Sequence, residues 1–183
     1  MKTIVILGMH RSATSLIARS LHGECYLGSD KFFIPPSFDN TKGFFEDRRV
    51  VLLNDQLLQM AGGSWHKPPS KKKVLELKGK PLNNGTVDDY LRGTIIALQK
   101  EANGKTVAIK DPRMCLLIDL WDEFLPDPQY IMSYRNPSDI VKSLEKRSKK
   151  SPPEKTSKEW MDLTKEYNER ANTFIQNKIT YDI

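Results

Sequence analysis

The chain has 183 residues, 38% of them hydrophobic and 28% charged. That length suits one domain with a sizeable core, and the balance excludes a disordered chain, a collagen-like repeat and a multi-span membrane protein. Lys and Arg total 29 against 23 for Asp and Glu, a net charge of +6 that favours an anionic partner and leaves nucleic acid, nucleotide and sulfated glycan open. Cys25 and Cys115 show neither CxxC nor zinc-like spacing, so they read as buried thiols in a reducing, cytoplasmic setting, with no disulfide framework and no metal. The apolar start of the chain is too short for a signal peptide, and no other stretch can span a bilayer.

In chain order, apolar runs rich in β-branched or aromatic residues predict buried strands at 3–7, 106–109, 129–134 and 178–181. Helical patterns fill the intervals. Residues 14–21 follow the first strand directly, and 45–60 carry Val50, Leu53, Leu57 and Leu58 on one face. Thr86 with Asp89 forms a capping box for a helix to about residue 99, and 115–124 also reads as helical. Asn136-Pro137 supplies an N-cap and a first-turn proline for a helix to about residue 147. The last helix, 153–176, spaces Trp160, Leu163, Tyr167, Ala171 and Phe174 by threes and fours. Segments 33–43 and 62–85 read as irregular, the latter holding a solvated lysine triplet, Lys71 to Lys73. Strands alternating with helices predict a single α/β domain over 1–183, a parallel sheet with helices on both faces.

Two constellations carry chemistry. The first is Gly8-Met9-His10-Arg11-Ser12-Ala13-Thr14-Ser15 between a strand and a helix, the layout in which backbone N–H groups converge on an anion. Against G-x-x-x-x-G-K-[ST], Ala13 replaces the second glycine and Thr14 the lysine, so this is not a Walker A loop; Arg11 is the nearest cation. The alternative is a hydroxyl-rich turn that merely caps a helix. In the second, Arg135 ends a strand and Ser143 lies two turns into the next helix. Ligands of open α/β sheets sit at that strand end. Its alternative is an Arg135–Asp139 ion pair with an exposed serine.

The first run resembles the 5′-phosphosulfate loop of the sulfotransferases, a branch of the P-loop superfamily in which G-M-H-R-S-G-T-S is common. Arg135 and Ser143 resemble that family's 3′-phosphate motif. Further likenesses run from Asp39 to Asp47, through Val50 to Asp55, at Lys110-Asp111-Pro112-Arg113, and from Ser151 through Tyr167; residues 62–104 match least. The resemblance implies a three-layer P-loop-type domain. It also implies a donor, 3′-phosphoadenosine 5′-phosphosulfate (PAPS), which leaves as PAP, and a hydroxyl-bearing small-molecule or glycan acceptor, without nucleic acid or metal. Donor contacts then fall to His10, Arg11, Ser12, Ala13, Thr14, Ser15, Arg135 and Ser143, and catalysis to Arg11, Lys110 and Glu46, with Asp47 competing as the base. Ala13 departs from the family's glycine, and the family continues through further helices beyond the equivalent of Ile183. A nucleotide or small-molecule kinase of the same fold, or a non-catalytic nucleotide-binding module, are the competing expectations.

Overall fold

The computed structural model describes residues 2–37, 40–41 and 43–181, with side chains described as far as Lys178. Asp39 and Lys42, part of the stretch likened to the sulfotransferases, lie outside the described residues, as do Asp182 and Ile183. A central strand β1 (Thr3–Leu7) leads into helix α1 (Thr14–Leu21), α2 (Arg48–Met60) and the short α3 (Lys71–Leu75). A small hairpin of β2 (Pro81–Leu82) and β3 (Gly85–Thr86) precedes α4 (Val87–Ala102). Then come β4 (Val107–Lys110), α5 (Met114–Trp121), β5 (Pro128–Met132), α6 (Pro137–Ser148) and α7 (Ser157–Tyr181).

The sheet runs β4-β1-β5, all parallel, with Ile6 beside Lys110 and Leu7 beside Met132. Parallel strands put their carboxyl ends on one edge, so the Gly8 loop, Lys110 and Ser133–Arg135 leave the sheet side by side. Side-chain alternation sends Val5, Leu7, Val107 and Ile109 into a core shared with α5, α6 and α7. Ile6 and Ala108 point the other way and meet Ala18 of α1 and Leu27. The domain is therefore a three-layer α/β sandwich of helices about a parallel sheet.

Several elements differ from expectation. Residues 178–181 are the end of α7, not a strand: the three-and-four spacing continues from Phe174 to Lys178, whose ammonium pairs with Asp122 at 2.5 Å, and an established helix propagates at little cost. That helix starts at Ser157, not 153, because Thr156 accepts from the Glu159 N–H at its entrance. The lysine triplet lies in α3, capped by Ser70 and anchored by buried Val74. Helix α2 starts at Arg48 with Asp47 as its N-cap, so Glu46 precedes the helix and does not open it. Cys115 is buried but Cys25 is only half-buried, and both are free thiols. No described helix is long and apolar enough to cross a membrane.

Candidate active site

At the carboxyl edge of the sheet lies a cleft of about 230 Å³. The Gly8 loop forms its floor. A Cβ on Gly8 would sit 2.7 Å from Ser12 Oγ and 3.0 Å from the Ser133 carbonyl, so only glycine lets β1 turn here. Arg11 and Ala13 both take left-handed backbone, at φ 71° and 70°, which winds the loop into α1. Thr14 and Ser15 begin that helix, where no earlier turn supplies carbonyl partners for their N–H groups. A concave backbone turn followed by a helix N-terminus favours an anion.

The cleft brings together most of the residues the sequence singled out. Arg11, Lys110 and Arg135 line it with Arg147, and among the described lining residues Glu46 is the one carboxylate. Glu46 and Lys110 are each only 5% exposed and form a close ion pair, while the Lys110 ammonium also donates to Ser15 Oγ at 3.2 Å. Burial pushes the Glu46 carboxyl above the usual carboxylate range; Lys110 pulls it down, Asp111 pushes it up, and Arg113 also lowers it. Backbone pairing positions this carboxylate: the Ile34 N–H donates to the Glu46 carbonyl and the Arg48 N–H to the Phe32 carbonyl, making a short ribbon along the cleft wall.

Asp47 is placed otherwise. Its two oxygens are held by Arg49, which also grips Glu101 at 2.6 and 2.9 Å, and one of them caps α2. That leaves Glu46 as the carboxylate of this pair that faces the cleft. Lys110 is itself fixed through its neighbours. Asp111, fully buried, accepts from the Asn54 amide at 2.8 Å and from Arg113, and the Trp121 indole donates to Asn54. Arg113 also pairs with Asp55 at 2.6 Å, a structural ion pair at the strand end.

Some expected donor contacts lie differently. Ser12 is 1% exposed and its hydroxyl and N–H both donate to the Met9 carbonyl, while its own carbonyl accepts from Ser133. Ser12 thus ties the loop to the core and does not line the cleft. Ser143 meets Arg11: its Oγ accepts from Arg11 Nε at 2.9 Å and orients that guanidinium. Arg135 Nη1 donates to the Arg11 carbonyl at 2.9 Å, bracing the loop's left-handed turn. His10 lines the cleft against Trp65 at 4.6 Å, with its Nε2 buried and unpartnered. Burial first, then the positive charges of Arg113, Arg147, Lys110 and Arg11, hold its pKa well below the histidine range, so the ring is neutral. Cys115 accepts the Gly8 N–H at 3.0 Å, and burial pushes its thiol up to about 12.

Two cleft residues were missed by sequence reasoning. Arg147 follows Ser143 by four, so helical spacing alone puts both on one face of α6. Asn40 lay within the likened stretch from Asp39 to Asp47 without being singled out; its amide donates to the Gly43 carbonyl at 2.6 Å and reaches Ser15 Oγ at 3.4 Å.

The fold is an α/β sandwich with a cleft at the ends of its parallel strands, lined by Arg11, Lys110, Arg135 and Arg147. No protein-family model, curated protein or solved structure matches the chain.

Proposed function

We propose that this chain is a sulfotransferase that moves a sulfuryl group from PAPS to a hydroxyl acceptor. The observation that carries the reading is the meeting, in one cleft, of a loop without a Walker lysine, cations from separate elements, and a buried carboxylate paired with Lys110. The residues present fit the donor. A volume of about 230 Å³ is small for a whole nucleotide and suits its phosphosulfate end, with the remainder reaching toward exposed Arg135 at the rim. Ala13 already has the left-handed turn that the family's glycine provides, and its exposed Cβ points into no core.

In this reading the acceptor O–H loses its proton to Glu46 while its oxygen bonds to sulfur. The bond between sulfur and the donor's bridging oxygen breaks, and its electron pair stays on the departing phosphate. Arg11, oriented by Ser143, and Lys110 neutralise that developing charge from two neighbouring strand ends. Lys110 has a second effect. Paired with Glu46 it favours the ionised carboxylate against the effect of burial; drawn toward the donor it leaves Glu46 a stronger base.

Calorimetry with PAP and with ATP, each with and without Mg²⁺, tests the reading. PAP binding at about 10 μM or weaker, independent of the metal, is expected. Tighter binding of Mg·ATP than of PAP would replace it with a kinase.

A further inference from the structure

Beside the cleft lies a second cavity of about 320 Å³. Its lining is almost wholly apolar: Phe33, Ile34, Pro35, Pro36 and Phe44, with Asp30 as the one charged group among the described lining residues. Phe44 lines both cavities, so a single side chain stands between the groove and the cleft. Glu46 is two residues further along the same ribbon.

The backbone here is under strain that packing must maintain. Phe45 has φ 55°, a left-handed conformation that a bulky side chain avoids and that survives only where its surroundings over-determine it. Both Phe44 and Phe45 line the groove; Phe45 also packs edge-on to Phe33 and His22, whereas Phe44 also lines the cleft. Gly43, at φ 90°, has Phe45 and Pro36 at 3.9 Å from its missing Cβ as the nearest groups among the described residues.

The charges are divided between the two spaces. Arg11, Lys110, Arg135 and Arg147 all face the cleft, and the groove has a single carboxylate. A polyanionic donor is therefore drawn to one side, while the other favours an apolar body that is neutral or positive. We infer that the groove holds the body of the acceptor, a small apolar alcohol whose hydroxyl reaches past Phe44 to Glu46. The inference rests on the sulfuryl-transfer reading and narrows its acceptor from any hydroxyl compound to this class.

The test uses the full chain, 2-phenylethanol as the probe and N-acetylglucosamine as its polar counterpart. Saturation-transfer NMR reports binding of each, and calorimetry with PAP is run on the same samples. The alcohol should bind and the sugar should not. Pro36→Glu and Ile34→Glu, both outside the donor cleft, should each weaken alcohol binding by about tenfold, because a charged group would replace apolar surface against the ring, and leave PAP affinity within about twofold. With PAPS present, the initial rate for the alcohol should exceed that for the sugar by about tenfold. PAP binding without alcohol binding, equal binding of the sugar, or alcohol binding unmoved in both variants would overturn the groove as acceptor site. Alcohol binding that both variants abolish, in a chain that binds no PAP, would instead overturn the sulfuryl-transfer reading.

Discussion

Ala13 sits at φ 70° and ψ 15° as the N-cap of α1, with no side-chain hydrogen bond to compensate. Left-handed backbone costs alanine roughly 1–2 kcal/mol, and the extra freedom of glycine in the unfolded chain offsets about 0.5–1 kcal/mol of any gain from its replacement. Ala13→Gly should therefore stabilise the protein by roughly 0.5–1 kcal/mol, read as a higher urea midpoint at unchanged slope. A lower midpoint would show that the loop relaxes around alanine. Lys110 supports a different prediction. Its charge lowers the Glu46 pKa, so Lys110→Ala removes that influence and leaves burial to raise the carboxyl further. A base that must be ionised then works only at higher pH. The acidic limb of the kcat/KM profile should move upward in Lys110→Ala, along with a slower plateau from the lost cation. A slower plateau with an unmoved limb would mean that Lys110 acts on the leaving group alone.

At the scale of the element, α6 matters because it carries Ser143 to Arg11 and Arg147 to the cleft wall. Its start is set by Asn136, whose side chain accepts from the Ser138 N–H at 2.9 Å, and by Pro137 in the first turn. Loss of such a cap costs about 1 kcal/mol. Asn136→Ala should lower stability by about that amount, measured by denaturant titration, with the far end of the helix still held by buried Ile140, Val141 and Leu144. An unchanged midpoint would mean that the proline alone sets the start. This helix, like α4, was legible in the sequence because its start signal and apolar face lie within a few consecutive residues. Helix α2 was legible except for its first turn: the strain at Phe45 and the pairing of Glu46 with Ile34 are imposed from outside the helix.

For the whole molecule, the net charge of +6 becomes specific only when folding gathers Arg11, Lys110, Arg135 and Arg147, distant in sequence, around one cleft. Attraction of a multiply charged anion by such a site is long-ranged and screened by salt, with a Debye length near 10 Å at 0.1 M. PAP affinity should accordingly fall by at least about fivefold between 50 and 500 mM NaCl, as followed by calorimetry. An affinity independent of salt would place the anion's contacts on neutral backbone groups.

Local physics determined much of this protein from sequence alone. Short runs rich in β-branched or aromatic residues specified β1, β4 and β5, caps specified α4 and α6, and the Gly8 loop lay where a strand hands over to a helix. Arg11, Glu46, Lys110 and Arg135 were each identifiable as candidates by residue type and position. Tertiary structure alone decided who meets whom. Glu46 pairs with Lys110 across 64 residues, Arg11 with Ser143 across 132, and Asp47 is held away from the cleft by an arginine that Glu101 anchors. Residues 178–181 have strand-like composition, yet they continue a helix because its preceding turns were already packed. Periodicity and capping act over a few residues, whereas these pairings depend on packing between elements far apart in the chain, and no local pattern records that.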